Sequence, residues 1–129
     1  MYSREGFEDI GRRFRVKYII LFGSRVSGSV DAFSDWDFGV RFGRRVCLRE
    51  YLDMLSALMD VVDSDYVDLV VVDDLFDSNP PLLYSILWEG KPVYIGDEET
   101  YHWDRVMASR LYNEYRLLFK PIVRQYLGV

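Results

Sequence analysis

Apolar residues are distributed along the chain in two kinds of pattern, short runs and stripes at helical spacing. Residues 16–22 and 66–72 are nearly continuous runs of β-branched and aromatic residues, and residues 37–42 and 92–95 form two shorter ones. Each run predicts a β-strand. Residues 16–22 show almost no polar alternation, which is typical of a strand covered on both faces.

The helical stripes lie before and between these runs. Apolar side chains recur at helical spacing in residues 4–15 and 49–62, and each segment predicts an amphipathic helix. Residues 24–36 are polar and rich in serine, and they predict a turn followed by a short helix or a loop.

Two more helices are indicated by their first residues. Asn79 before Pro80 predicts a helix start, because asparagine caps helices and proline suits the first turn. We expect this helix to run to Glu89 and to end at the glycine that follows. Asp97 is the predicted cap of a last helix that begins near Glu98.

The last helix carries a long apolar stripe. Helical spacing favours packing of this stripe in the core, and Pro121 predicts a kink. The alternative is that the aromatic stretch from Tyr112 to Tyr126 forms an interface with a partner. The members of the stripe are Trp103, Met107, Leu111, Tyr115, Leu118 and Ile122.

The order of the elements predicts an α/β (α+β) fold, in which a small mixed β-sheet is flanked by helices. The chain has 129 residues, half of them apolar, which is enough for a hydrophobic core. No repeat, low-complexity tract or linker interrupts it, so we expect one domain over residues 1–129.

Charge and rare residue types argue against several functions. The net charge of −5 disfavours a long nucleic-acid footprint, although residues 12–15 and 41–49 are rich in arginine and form either a basic patch or solvated helix faces. Cys47 and His102 are the only residues of their kinds, which excludes an internal disulfide and disfavours zinc. Because no apolar stretch approaches the ~20 residues of a membrane helix and no signal peptide is evident, we expect a soluble, cytoplasmic protein without membrane contact.

Three features carry candidate chemistry, and the first is Gly23-Ser24 directly after a predicted buried strand. Glycine lets the backbone turn tightly and approach a phosphate closely, and the amides that follow can receive negative charge. The same pair is also common in ordinary turns, so alone it is a weak signal.

The second feature is Asp35-Trp36-Asp37 at the entrance of the next strand. Residues i and i+2 of an extended segment point to the same face, so Asp35 and Asp37 present two carboxylates side by side. Such groups repel each other unless a cation lies between them, and hard oxygen ligands favour Mg²⁺ or Mn²⁺. A solvated acidic turn is the alternative for an isolated pair.

The third feature is Asp68, the only charged residue in residues 66–72. Burial of an unpaired carboxylate costs several kcal/mol, so a buried Asp68 needs a partner. A hydrogen-bond donor would suffice, but a metal site shared with Asp35 and Asp37 explains the residue better.

Together these features resemble the DNA polymerase β-like nucleotidyltransferase superfamily. The resemblance rests on residues 21–28, 34–40 and 67–70, and within the superfamily the chain is most similar to the minimal nucleotidyltransferase (MNT) group. That group supplies the antitoxin of HEPN–MNT toxin–antitoxin pairs.

The resemblance implies a role for each site residue. Gly23 and Ser24 would bind the triphosphate of ATP, and Arg25 either touches phosphate or lies on the surface as a structural residue. Asp35, Asp37 and Asp68 would act as the catalytic residues and ligands of two Mg²⁺ ions, with Mn²⁺ as a substitute. Gly28 matches a recurring glycine of the motif, whereas Trp36 stands where an aliphatic residue is more usual. These three aspartates would support in-line attack of a hydroxyl on the α-phosphorus, with release of pyrophosphate.

The resemblance further implies that AMP moves from ATP onto a tyrosine of a HEPN toxin. The acceptor surface would come from a partner chain or from a second copy, as a homo- or hetero-oligomer. Two alternatives stay open at this point. The chain could silence its partner by occlusion without catalysis, or it could transfer a nucleotide to a small molecule or to RNA.

Overall fold

A computed structural model describes residues 4–27 and 35–127, and its elements follow the predicted order. Most predicted ends are shifted by one or two residues. In chain order the elements are α1 (Arg4–Phe14), β1 (Tyr18–Phe22), α2 (Ser24–Ser27), β2 (Trp36–Arg41), α3 (Leu48–Val62), β3 (Val67–Val71), a 3-10 turn (Val72–Asp74), α4 (Pro80–Tyr84), a π-helical turn (Ser85–Glu89), β4 (Lys91–Ile95), α5 (Glu98–Glu114), a second π-helical turn (Tyr115–Phe119) and α6 (Lys120–Leu127).

The four strands form one mixed sheet in the order β3-β2-β1-β4, which confirms the predicted fold class. β1 pairs antiparallel with both β2 and β4, whereas β2 and β3 run parallel. The carboxyl end of β1 therefore lies at the same end of the sheet as the beginnings of β2 and β3.

Helices cover both faces of the sheet, as the apolar run of β1 predicts. On one face, α1 and α3 contribute Phe7 and Met54 to a buried cluster that also contains Ile19. On the other face, the π-helical turn contributes Ile86 to a second cluster that contains Ile20. Successive residues of β1 thus enter different clusters, because side chains alternate across a strand.

The apolar stripe of the last helix is largely outside the core, contrary to the prediction. α5 instead turns Asp104 and Ala108 toward the sheet, and of the stripe only Leu111 packs against the second cluster. Helical spacing identifies an apolar face but cannot tell whether another element of the chain covers it. The exposed members of the stripe are Trp103, Met107, Leu118 and Ile122.

A buried polar network sets the rotation of α5. The hydroxyl of Tyr18 donates a hydrogen bond to Asp104 Oδ2 (2.6 Å), and Arg41 Nε donates to the same oxygen (2.8 Å). Arg41 also donates through Nη1 to Asp73 (2.6 Å). Desolvation lowers the pKa of Arg41, but its hydrogen bonds to Asp104 and Asp73 outweigh this effect and raise it. No local pattern predicts this network, because its bonded partners lie 32 to 86 residues apart.

Both predicted helix caps are confirmed. The side chain of Asn79 accepts a hydrogen bond from the N–H of Leu82 (3.2 Å), and Asp97 accepts from the N–H of Thr100 (3.0 Å). The second π-helical turn ends at Phe119, two residues before Pro121. It is the kind of irregularity at which helices bend, so it lies where the sequence predicts a kink.

The second arginine-rich run is mostly not a solvated helix face. Arg41 ends β2 inside the polar network, and Arg44 lies in the following loop, where it pairs with Glu50. In the first run, Arg12 is exposed on α1 and pairs with Glu8 (3.5 Å). Within the described ranges, no helix combines the length and apolar character needed to cross a bilayer.

Candidate active site

The predicted site residues meet at the end of the sheet where β1 ends and β2 and β3 begin. In the sheet register, Phe22 lies opposite Asp37, and Asp37 lies opposite Asp68. Gly23 follows Phe22 directly, so it lies next to this row. Two residues that are 31 positions apart along the chain, Asp37 and Asp68, are thereby direct neighbours across two strands.

Strand alternation places the aspartates on one face. Trp36 and Val67, which precede Asp37 and Asp68, are buried on the face covered by α1 and α3. Asp37 and Asp68 therefore point to the opposite face. Asp35 is exposed and comes directly before β2, two residues from Asp37. Trp36 points away from the site, as the alternation predicts.

Asp68 is exposed, which corrects one step of the sequence argument. The argument assumed burial because the neighbours of Asp68 are apolar, but the adjacent Val67 and Leu69 bury their side chains on the face that Asp68 does not share. An exposed carboxylate needs no partner to offset desolvation. What associates Asp68 with the site is its register with Asp37.

Asp37 is the electrostatic centre of the group. Partial burial raises the pKa of its carboxyl group, and repulsion from Asp68 and then from Asp35 raises it further. The carboxylate of Asp37 is thus close enough to interact with both Asp68 and Asp35. The described residues contain no group of three His, Cys, Asp or Glu side chains arranged to hold a metal ion. The carboxylates of Asp35, Asp37 and Asp68 form an acidic cluster whose oxygen atoms are of the kind that hard cations prefer. Because the three are not arranged as a metal site in this structure, their role as ligands stays a prediction.

Gly23 connects the predicted phosphate anchor to this cluster. Its φ of +83° lies in the left-handed region, which side chains other than glycine rarely adopt. A Cβ atom at this position would also collide with Oδ2 of Asp37. Both backbone conformation and space therefore require glycine beside the carboxylate.

Ser24 and Arg25 begin the short helix α2 that follows. The guanidinium of Arg25 lies 4.2 Å from the ring centre of Trp36, a cation–π contact. The contact holds the guanidinium of Arg25 over a ring that points away from the aspartates, so it favours a structural role for Arg25 in this arrangement. Gly28 lies outside the described residues.

A comparison of the sequence with known protein families agrees with this geometry. Residues 8–99 match the family described as Polymerase beta, Nucleotidyltransferase. The chain belongs to this nucleotidyltransferase family. The matched region includes all four strands, Gly23 and the three aspartates. Among curated protein sequences, none matches this one.

Several solved structures share the complete nucleotidyltransferase fold of this chain. A chain of a toxin–antitoxin complex with AMP-PNP has a TM-score of 0.78 and 20% identity, and the match covers 97% of this chain and 98% of that one. A chain from the complex of tri-AMPylated Shewanella oneidensis HEPN toxin with MNT antitoxin has a TM-score of 0.69 and 19% identity, covering 96% and 95%. A chain of the MntA-HepT toxin–antitoxin complex has a TM-score of 0.68 and 19% identity, covering 97% and 99%. At these identities the likeness establishes the fold.

A cavity of about 450 Å³ adjoins Gly23, the predicted phosphate anchor. It is lined by Phe22, Gly23 and Val26 and by Ser85 and Glu89 of the first π-helical turn. Sequence reasoning did not identify Ser85 or Glu89, because the turn meets Gly23 only through packing of distant segments. The sequence of this segment predicts an ordinary helix.

Proposed function

We propose that this nucleotidyltransferase transfers AMP from ATP to a hydroxyl group of a partner protein, in a reaction that requires Mg²⁺. We further propose that the partner is a HEPN toxin, that the acceptor is a tyrosine, and that the chain acts as the antitoxin. The single observation that supports this proposal is the acidic cluster at the end of the sheet where β1 ends. There, Gly23 packs against Asp37, and Asp37 lies in register with Asp68.

Each residue of the site would have a separate role. Asp35 and Asp37 would hold Mg²⁺, and Asp68 would complete the metal site on its exposed side. Bound Mg²⁺ would offset the charge of the triphosphate and of the pyrophosphate that leaves. Gly23 permits close approach of the backbone to the phosphates, and Ser24 and Arg25 would bind them, Arg25 after leaving the ring of Trp36.

The transfer forms one bond and breaks another. The acceptor oxygen bonds to the α-phosphorus of ATP while the bond from that phosphorus to the bridging oxygen breaks, so pyrophosphate leaves. The hydroxyl proton passes to the carboxylate of Asp68, which is exposed where an acceptor can enter. The protein thus contributes mainly position and charge, as is general for phosphoryl transfer.

The choice of acceptor rests on the solved structures of similar fold. One of them contains a tri-AMPylated HEPN toxin together with an MNT antitoxin. A covalently attached AMP on the partner of such a fold supports a protein hydroxyl as the acceptor. AMP-PNP in another of these complexes supports ATP as the donor.

Transfer of label from ATP tests the proposal directly. The chain is incubated with ATP labelled at the α-phosphate, Mg²⁺ and a purified HEPN toxin, and label on the toxin is measured. We expect label with the wild type and almost none with Asp37→Ala or after chelation of Mg²⁺. Asp53→Ala, an exposed residue of α3, is the matched control and should transfer normally. Undiminished transfer by Asp37→Ala would refute the assignment.

A second function, silencing of a partner by occlusion, is favoured by one observation. The second π-helical turn and α6 expose four large apolar side chains, with Leu117 68% exposed. Such a surface is suited to a protein interface. If Asp35→Ala abolishes transfer but still silences the toxin in cells, occlusion is the main mechanism. The four residues are Leu117, Leu118, Phe119 and Ile122.

A further inference from the structure

The cavity beside Gly23 has the composition of a nucleoside site. Phe22 and Val26 are the apolar side chains of its lining, whereas Ser85 and Glu89 are the polar ones, a hydroxyl and a carboxylate. Its volume of about 450 Å³ lies in the range of small-ligand pockets. Neither Ser85 nor Glu89 forms a side-chain hydrogen bond or ion pair with another residue in the described part of the chain. Both polar groups are therefore available to a ligand.

The segment that carries Ser85 and Glu89 is held rigidly. Ile86 and Leu87 are buried beneath it, and the N–H of Gly90 donates to the carbonyl of Ile86 (3.1 Å). A Cβ atom on Gly90 would collide with this carbonyl and with Ile20, so glycine permits the turn to lie directly against β1. The turn thereby reaches Phe22 and Gly23, which follow in the same strand and turn.

A second brace comes from α5. Arg105 Nε donates to the carbonyl of Leu87 (3.1 Å), and Trp88 Nε1 donates to the carbonyl of Arg105 (2.9 Å). The guanidinium of Arg105 also lies 4.0 Å from the ring centre of Trp88. Because the turn is fixed from two sides, the backbone that carries Ser85 and Glu89 has little freedom to lose on binding a ligand.

Charge indicates which part of a nucleotide this side of the cavity would contact. A carboxylate repels phosphates, so Glu89 is unsuited to the triphosphate that Gly23 and Ser24 are proposed to bind. It is suited to neutral hydrogen-bond donors, because an ionised carboxylate only accepts. Along a nucleotide, the first donors beyond the α-phosphate are the hydroxyls of the ribose. A carboxylate with two oxygens can accept from both the 2′- and the 3′-hydroxyl.

We infer that Glu89, assisted by Ser85, binds the ribose hydroxyls of the nucleotide and selects ribonucleotides over deoxyribonucleotides. This inference rests on the proposed function, because it takes the nucleotide to be anchored at Gly23. Loss of a hydrogen bond to a charged group should weaken binding roughly ten- to hundredfold. We therefore expect the wild type to prefer ATP over 2′-deoxy-ATP by about that ratio.

Calorimetric binding tests the inference separately from transfer. Affinities of the purified full-length chain for ATP, 2′-deoxy-ATP, 3′-deoxy-ATP and purine riboside triphosphate are measured with Mg²⁺. We expect Glu89→Ala to bind ATP, 2′-deoxy-ATP and 3′-deoxy-ATP with equal affinity, no tighter than the wild type binds either deoxynucleotide. In transfer assays the same variant should raise KM for ATP with little change in kcat. Glu114→Ala, an exposed glutamate of α5, is the control and should retain the preference.

The outcomes distinguish the two proposals. If ATP binds with ribose selectivity but no label reaches a partner, the proposed acceptor is wrong and the ribose assignment stands. If Glu89→Ala and Glu89→Gln both keep the full preference for ATP over 2′-deoxy-ATP, the ribose assignment is wrong. Selective loss of discrimination against purine riboside triphosphate would also overturn it, because Glu89 would then contact the adenine amino group. Unchanged melting temperatures of the variants would verify that each is folded.

Discussion

Gly23 shows how one position can combine two constraints. Its positive φ turns the chain out of β1, and its missing side chain leaves room for the carboxylate of Asp37. Asp37 in turn is destabilised in its charged form by burial, by Asp68 and by Asp35. The site therefore combines an unusual backbone conformation at Gly23 with repelling negative charges at Asp37, a combination that is typical of functional sites.

We predict that Gly23→Ala strongly reduces nucleotide transfer and lowers the free energy of unfolding by about 1 kcal/mol or more. The added methyl group is strained at positive φ and displaces the carboxylate of Asp37. Gly43→Ala is the matched control, because Gly43 also has positive φ (75°) but lies beyond the other end of β2. It should lose stability and retain activity per folded molecule. Equal activity loss in both variants would contradict the prediction, with urea unfolding and transfer rates as the measurements.

We predict that Asp37→Asn stabilises the protein in the absence of divalent metal at neutral pH. The fold raises the pKa of Asp37, so the folded chain binds this proton more tightly than the unfolded chain. Stability contributed by this group therefore falls as pH rises through the carboxyl range. In EDTA, the melting temperature of Asp37→Asn should exceed that of the wild type at pH 7, and the difference should shrink toward pH 4.

Addition of Mg²⁺ provides the control for this prediction. The wild type should gain melting temperature because the ion binds the folded state, whereas Asp37→Asn should gain much less. A variant that is no more stable than the wild type at pH 7 in EDTA would show that the acidic cluster is not strained by repulsion.

Single elements are defined by their ends as much as by their apolar faces. α4 begins at Asn79, whose side chain caps the first turn, and continues into a π-helical turn that ends at Gly90. The cap and the two prolines are local signals, and they suffice to locate the helix start. The widening of the helix into a π-helical turn has no such local signal, since it depends on packing against β1 and α5.

We predict that Asn79→Ala lowers the free energy of unfolding by about 1 kcal/mol. The substitution removes the acceptor of the Leu82 N–H and leaves this donor without its cap. Asn79→Asp should retain most of the stability, because aspartate caps equally well and its charge is favourable at a helix start. Chemical denaturation compares the three proteins, and equal stability of Asn79→Ala and the wild type would exclude a capping role.

Across the whole molecule, the two ends of the sheet have different tasks. One end carries Gly23 and the acidic cluster, and the opposite end carries the polar network of Tyr18, Arg41 and Asp104. Burial and the hydrogen bond to Asp104 raise the pKa of Tyr18, so its hydroxyl keeps its proton and remains a donor. This network fastens α5 to the sheet, and α5 in turn braces the π-helical turn beside the site.

We predict that Asp104→Ala lowers the free energy of unfolding by roughly 3 kcal/mol, at the lower end for a buried ion pair because Arg41 is partly exposed. The substitution leaves Arg41 and Tyr18 without their shared acceptor. Asp104→Asn should lose less, since it keeps an acceptor oxygen, and Asp53→Ala should change stability by less than about 0.5 kcal/mol. Urea unfolding measures the loss, and hydrogen exchange should show faster opening of α5. A loss as small as that of Asp53→Ala would contradict the docking role.

Several features could be predicted from the sequence because they depend on neighbouring residues. Strand alternation, helical spacing and caps act over a few positions, so the strands, the starts at Asn79 and Asp97, and the shared face of Asp35 and Asp37 follow from local geometry. The motif that joins Gly23 to these aspartates also lies within a short segment. From it the family could be recognised before any contact was known.

The remaining features were decided by tertiary structure, because they depend on segments far apart in the chain. Strand register, not burial, brings the exposed Asp68 beside Asp37. The apolar stripe of the last helix is largely exposed because buried Asp104 binds the sheet and turns α5 the other way. Glu89 reaches the cavity beside Gly23 only because a π-helical turn packs against β1. Local patterns define which faces are apolar or acidic, whereas only the packing of distant elements determines what those faces meet.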